Sequence, residues 1–188
     1  MIYKTHSQVT VEGIKGLTFF ELSKKYKFNH NIFFETGTHH GDGILKALDL
    51  GFNKILSVEI DQTYFLECYD KFIDQIIDGK VHLFFGDSNV WMNHMLKLIK
   101  EPALFWLDGH PDGIDGNPLW EELESIKNHP IKNHTILIDD IPIYFDPKQV
   151  ESKLLEINPN YTFIYENALN ENNGNVYENY QLAAYISK

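Results

Sequence analysis

The chain contains no arginine. All 16 basic residues are lysines, set against 27 acidic residues, for a formal net charge of −11 over 188 residues. Bulk binding of nucleic acid depends on neutralising phosphates, and arginine is its preferred tool. Nucleic acid is therefore not an expected partner. The bidentate clamp that usually holds a phosphate substrate is missing too. Cys68 is the only cysteine. That excludes an intramolecular disulfide and a cysteine-based zinc site. Its neighbours Phe65, Leu66 and Phe72 make it a small core residue. No apolar run approaches bilayer length, and the N-terminus lacks the apolar core of a signal peptide. Cytoplasmic residence away from membranes is the resulting expectation. No linker, repeat, coiled coil or low-complexity tract interrupts the chain. Its length suits one ordinary domain with a sizeable core.

What is present is concentrated in Phe33-Phe34-Glu35-Thr36-Gly37-Thr38-His39-His40-Gly41-Asp42-Gly43. An apolar run ends in an acid, a turn with three glycines follows, and then a helical pattern begins. A second apolar run ends in Glu59. This is the layout of a first β-α-β unit that holds an adenosine-containing cofactor. Glycines let the backbone approach the ligand, the helix N-terminus faces it, and the second acid can accept both ribose hydroxyls. The spacing is E-x-G-x-x-x-G rather than G-x-G-x-x-G, and no G-K-[ST] follows. An acid at the mouth of the turn repels a pyrophosphate but suits a cationic amino-acid ligand such as S-adenosylmethionine.

Beyond residue 31 strands and helices alternate. The pattern predicts strands at Ile32–Glu35, Lys54–Ile60, Val81–Gly86, Ala103–Asp108, Thr135–Asp139, Tyr161–Glu166 and Gln181–Ile186. Most are continuous apolar runs, as expected where both faces of a parallel sheet are covered. It predicts helices at Gly41–Leu50, Gln62–Ile77, Val90–Lys100, Pro118–Asn128 and Pro147–Ile157, with Asp61 and either Ser88 or Asn89 as N-caps. Asn170-Glu171-Asn172-Asn173-Gly174-Asn175 is a hairpin signal between the last two strands. The expected fold is α/β, a doubly wound, Rossmann-like, seven-stranded sheet with a terminal antiparallel hairpin strand. Residues 1–30 read as an N-terminal helical appendage, with a short amphipathic helix around Phe19, Leu22 and Tyr26. Residues 31–188 form the main domain.

With these motifs in this order, residues 31–188 resemble the class I S-adenosylmethionine-dependent methyltransferases. Within that class the likeness is to the metal-dependent sugar O-methyltransferases typified by macrocin O-methyltransferase. It rests on Phe105-Trp106-Leu107-Asp108-Gly109-His110 and Ile136-Leu137-Ile138-Asp139-Asp140. The resemblance implies that Glu35, Gly37, Thr38 and Gly41 form the first cofactor motif, that Glu59 holds the ribose, and that Asp87 and Ser88 sit by the adenine. It implies that Asp108, Asp139 and Asp140 ligate a divalent cation such as Mg²⁺. His110 stands where the family usually places an aspartate as general base. The implied activity is methyl transfer to a hydroxyl of a small molecule or sugar. Two other classes compete with it: a nicotinamide-dependent, Rossmann-like protein and a non-catalytic binding module. The glycine spacing and the terminal hairpin count against the first, and intact Glu35, Gly37, Gly41 and Glu59 against the second.

Overall fold

Successive residues of a strand point to opposite faces of the sheet, so a run of apolar residues feeds two core layers at once. The computed structural model, which describes residues 14–109 and 117–187, shows this directly. Phe33, Ile55, Leu104, Leu137 and Ala183 enter one layer. Their chain neighbours Phe34, Leu56, Phe105, Ile136 and Leu182 enter the other.

In chain order the elements are β1 (Ile14–Lys15), α1 (Phe19–Tyr26), β2 (Ile32–Thr36), α2 (Asp42–Asp49), β3 (Lys54–Glu59), α3 (Gln62–Lys71), α4 (Ile73–Ile77), β4 (Val81–Phe85), α5 (Ser88–Leu96), β5 (Leu104–Leu107), α6 (Leu119–Asn128), β6 (Thr135–Ile138), α7 (Ile141–Tyr144), α8 (Pro147–Ile157), β7 (Thr162–Asn170) and β8 (Val176–Tyr185). The sheet order is β1-β7-β8-β6-β5-β2-β3-β4. Strands β2 to β6 pair in parallel, and β8 runs antiparallel between β6 and β7. Strand order reverses between β2 and β5, and an open α/β sheet of this kind binds its ligands at that switch point. Residues of α1, α2 and α3 pack in the layer with Phe33, and those of α5, α6 and α8 in the layer with Phe34.

Several expectations change in detail. The described residues form eight strands rather than seven, because the two-residue β1 adds antiparallel to β7 at the sheet edge. The helix expected over 62–77 is two helices, broken at Phe72, whose φ of −113° leaves the α region. Helix α5 begins at Ser88, capped by Asp87 through the Asn89 N–H at 2.8 Å, so neither Ser88 nor Asn89 is the cap. Helix α7 was not expected from the sequence; it starts at Asp140, whose φ is 56°. Asp61 caps α3 as expected, accepting from the N–H groups of Thr63 and Tyr64. The hairpin also stands where expected, with β7 and β8 paired across the Asn170–Asn175 turn. Among the described residues no helix is long and apolar enough to cross a membrane.

The glycine turn after β2 is dictated by packing. Gly37 and Gly41 have φ values of 83° and 78°, where an L side chain is strained. Protein atoms also fill the space a side chain would need. A Cβ on Gly37 would lie 2.5 Å from the Asp108 carbonyl oxygen. One on Gly41 would lie 2.5 Å from the Phe72 ring, and one on Gly43 would strike the Glu35 carboxylate. Glu35 is 2% exposed and cannot swing into water without uncovering the turn. Gly43→Ala is therefore expected to destabilise the protein by about 1–3 kcal/mol, the usual cost of overfilling a packed interior. In Glu35→Ala the same substitution should cost clearly less. Equal losses in the two backgrounds, read from denaturant unfolding, would refute the steric account.

Candidate functional site

Two adjoining cavities open at the C-terminal ends of β2, β3 and β5. The first, about 360 Å³, is lined by the turn after β2, by Val58-Glu59-Ile60-Asp61 and by Gly86-Asp87-Ser88. The second, about 310 Å³, reaches from Glu35 and Thr38 across to Asp139, Gln181 and the segment Ile14–Phe19. Gly37, His39 and Asp108 line both. The shared wall is the switch point itself, where β2 and β5 end side by side.

Glu59 organises the first cavity. Its Oε2 accepts the His39 N–H at 2.7 Å and its Oε1 accepts the Asp61 N–H at 2.7 Å. One carboxylate thus ties the glycine turn to the end of β3 and holds His39 at φ 49°. Each carboxylate oxygen keeps a further lone pair, so two ligand hydroxyls can still be accepted. Asp87 spends one oxygen on the α5 cap. The Ser88 hydroxyl turns away from the cavity and donates to Glu122 Oε1 at 2.7 Å. His40 is exposed, with Nδ1 3.1 Å from Glu67, and the His39 ring packs 4.3 Å from Tyr64.

Glu35 lies beneath the second cavity. It accepts a hydrogen bond from Ser57 Oγ at 2.7 Å, and Ser57 is 2.5 Å from Thr38 Oγ1. Thr38 is thereby joined to Glu35 through one buried hydroxyl. Burial pushes the Glu35 carboxyl up to about 8, the Ser57 donor opposes this, and the charges of Asp108 and Glu59 add to it. Neither Glu35 nor Glu59 has an ion-pair partner among the described residues. Glu35, Asp42, Asp108 and Asp139 all line this cavity, an acidic surface that suits a cationic ligand.

Asp108 follows β5, and Asp139 and Asp140 follow β6. Burial first, then the charges of Asp108 and Asp140, raise the Asp139 carboxyl well above the usual aspartate range. The Asp140 N–H, 3.0 Å from Asp139 Oδ1, and the Gln181 amide pull it back. Asp140 accepts the buried Tyr180 hydroxyl, and burial together with this bond raises the Tyr180 phenol. The three aspartates expected as metal ligands stand near enough for the charges of Asp108 and Asp140 to act on Asp139. Among the described residues no three His, Cys, Asp or Glu side chains form a group that could hold a metal ion. Asp140 is engaged by Tyr180, and Asp139 by its neighbour's N–H and by Gln181. His110, expected as the base, lies outside the described residues.

Three residues of the site were missed by sequence reasoning. Ser57 interrupts the apolar run Ile55-Leu56-Ser57-Val58, Gln181 opens Gln181-Leu182-Ala183-Ala184, and Tyr180 precedes it. A lone polar residue in a strand that is otherwise core was the available signal, since buried polar atoms need partners.

No protein-family model matches the chain, and no curated protein does. Solved structures do. An O-methyltransferase from Bacillus cereus in complex with SAH superposes with a TM-score of 0.62 at 12% identity, over 90% of this chain and 79% of that one. TomG from Streptomyces achromogenes, an O-methyltransferase involved in tomaymycin synthesis and solved with SAM, gives 0.60 at 10% identity, over 89% and 78%. The SAH-bound Podospora anserina methyltransferase PaMTH1 gives 0.54 at 12% identity, over 90% and 76%. At these identities the likeness is one of architecture: this eight-stranded mixed sheet, flanked by helices, has the Rossmann-like fold of the methyltransferases.

Proposed function

We propose that this protein is an S-adenosylmethionine-dependent methyltransferase acting on a hydroxyl oxygen of a small molecule or sugar, with residues 31–188 as its catalytic domain. The observation that carries the reading is the pair of joined cavities at the switch point. One is floored by Glu59 with acceptor capacity for two hydroxyls, and the other by an acidic surface around Glu35. Structural neighbours solved with SAH or SAM support it. The donor chemistry of the site fits this cofactor, because an acidic floor favours a cation and disfavours a pyrophosphate.

S-adenosylmethionine, when bound, supplies a methyl group already activated on a sulfonium. The protein's share is then mostly positional. Glu59 holds the ribose hydroxyls, while Asp87 and Ser88 border the adenine end. Gly37 and Thr38 form the wall between the cavities, and Gly41 turns the chain into α2. Two groups can take the acceptor's proton. Asp139 is a stronger base than an ordinary aspartate because burial and neighbouring charges raise it. His110 directly follows Gly109 and offers an imidazole. Should a divalent cation bind here, Asp108, Asp139 and Asp140 would offer it hard oxygen ligands, and no step is routed through it.

S-adenosylhomocysteine is expected to bind in the micromolar range, about −8 kcal/mol, and NAD is not. Glu59→Ala should weaken binding at least about tenfold, with the loss of roughly 1.4 kcal/mol or more. Calorimetry that found NAD bound instead, or full affinity in the variant, would sink the assignment.

For the transfer step, Asp139→Asn is expected to lower kcat by about 10²-fold or more, the typical worth of a general base, and by more than His110→Ala does. Labelled-methyl transfer to a panel of vicinal diols checks this, and the reverse ranking would move the role to His110.

A pH dependence follows from Glu35. Its folded-state value of about 8 stands above the ordinary 4.5, so the folded protein keeps a proton that the unfolded chain releases. Stability should be full below about 4.5 and decline as pH rises towards 8. Glu35→Gln should flatten that part of the profile in denaturant melts. A cationic ligand favours the ionised carboxylate, so binding of S-adenosylmethionine at neutral pH should release protons in the parent and fewer in Glu35→Gln.

A further inference from the structure

The wall of the second cavity opposite Glu35 is made by Ile14–Phe19, a segment with little to hold it by itself. Strand β1 has two residues, paired with Asn170 and Leu169 at the sheet edge. Lys15 adds an exposed ion pair with Glu171 at 2.7 Å, of a kind worth little. The stronger tie comes from Gln181, on β8, which is 2% exposed. Its Oε1 accepts the Leu17 N–H at 2.8 Å and its Nε2 donates to the Leu17 carbonyl at 2.6 Å. The Leu17 peptide groups have fixed donor and acceptor roles, so the orientation of the Gln181 amide is settled by its partners. The amide meets Leu17 as an antiparallel neighbour would, satisfying both of its backbone groups. The Gln181 amide also lies close enough to Asp139 to lower its carboxyl.

The fit is close. A Cβ on Gly16 would fall 2.6 Å from the Gln181 side-chain carbon. Gly16 therefore lets the backbone lie directly on the amide. Beyond the clamp, Thr18 caps α1 in a capping box with Glu21, and the Phe19 ring stacks 4.2 Å from Phe33. Segment and sheet are thus joined at an apolar anchor on one side and a polar clamp at the cavity. A buried amide costs free energy unless its groups are used, and here both its oxygen and its nitrogen find a partner in Leu17. An apolar side chain could fill this space, but it could not order the Leu17 backbone.

We propose that Ile14–Thr18 is a strap that closes and shapes the acceptor cavity, and that Gln181 is the positioning residue that holds it against the site. This deepens the methyl-transfer reading and rests on it for the word acceptor. The strap makes selection among acceptors a property of residues that precede the cofactor motif. Gln181 acts through Leu17 on one side and Asp139 on the other, and links the wall of the cavity to its acidic floor.

The test compares wild type with Gln181→Leu, which keeps side-chain bulk and removes every polar contact. Amide hydrogen exchange is the first readout. Protection at Leu17 should fall by about 10²-fold or more, as expected when an element loses its local anchor. Protection at Leu182 and Ala183 of the same strand should stay within about threefold, because sub-global opening leaves the core intact. Uniform loss across β8 would mean that Gln181 only stabilises the fold, and unchanged protection at Leu17 would mean that it holds nothing; either overturns the proposal. Gly16→Ala approaches the clamp from the opposite side with β8 untouched, and should reproduce the local loss if Gln181→Leu folds poorly. With catechol as the acceptor probe, KM should rise about tenfold and by more than kcat falls, the signature of lost ground-state positioning. An unchanged catechol KM with the strap released overturns the proposal. Should wild type bind no S-adenosylhomocysteine or fail to turn catechol over, that failure falls on the methyl-transfer reading, and exchange at Leu17 still decides the clamp.

Discussion

The tightest constraint in the molecule is the approach of two backbones where β2 and β5 end. Gly37 backs onto the Asp108 carbonyl, and Gly109 lies against Thr36, where a Cβ would come within 3.0 Å. Neither position can carry a side chain without parting the strands. Because they stay together, the strand order reverses at that point with no gap in the sheet. Both cavities share this seam, and the acids from four strands are brought around it. The glycines of the turn, which read in sequence as room for a ligand, are first of all room for the protein itself. Ligand approach and chain packing make the same demand here, so the motif alone cannot separate them.

The second consequence is electrostatic. Glu35, Glu59, Asp108 and Asp139 are drawn to one region, and Glu35 and Asp139 respond by holding protons more tightly than exposed carboxyls do. A protein that stabilised only itself would gain by replacing such groups with apolar ones. Their retention together is what a site for a cationic ligand requires, and an all-lysine chain offers no guanidinium to neutralise them. Two of the four non-glycine residues with positive φ among the described residues, His39 and Asp140, belong to the segments around the cavities. Residues in such conformations persist only where their surroundings fix them. Glu59 fixes His39 through its N–H.

What was legible in the sequence follows from the period of each pattern. The parallel strands Phe33-Phe34, Ile55-Leu56 and Leu104-Phe105 are apolar on both faces, and the acids that end them mark the ligand side without a structure. The hairpin was readable from Asn172-Asn173-Gly174. β1 was not, because two residues carry no period and their pairing with Asn170 and Leu169 spans most of the chain. The break at Phe72 was hidden for a similar reason: Phe72 continues the apolar helical stripe, and the packing of its ring against Gly41 is a long-range contact. The glycine turn and Glu59 could be located from spacing. The partners of the two acids, Ser57 for Glu35 and backbone N–H groups for Glu59, are long-range and were not in the motif. The three aspartates were correctly placed at neighbouring strand ends. What the sequence did not show is that Tyr180 donates to Asp140, from a strand that no local pattern connects to it.

The N-terminal segment shows where fold and chemistry are joined in this chain. A short edge strand would ordinarily fray, since its backbone bonds are few and open to water. Here its ordering comes from a buried amide on β8, the strand inserted last and antiparallel between its neighbours. That insertion places Gln181 one residue before Leu182, which pairs with Ile138 at the end of β6, immediately before Asp139. A parallel strand in that position would need a long crossover connection and would point its own C-terminal end at the site. The antiparallel return instead delivers the middle of a strand to the site, rigid and flanked on both sides. A side chain presented from there can brace a mobile-prone segment without itself being mobile. The terminal hairpin thereby becomes the scaffold against which the first described residues of the chain are set.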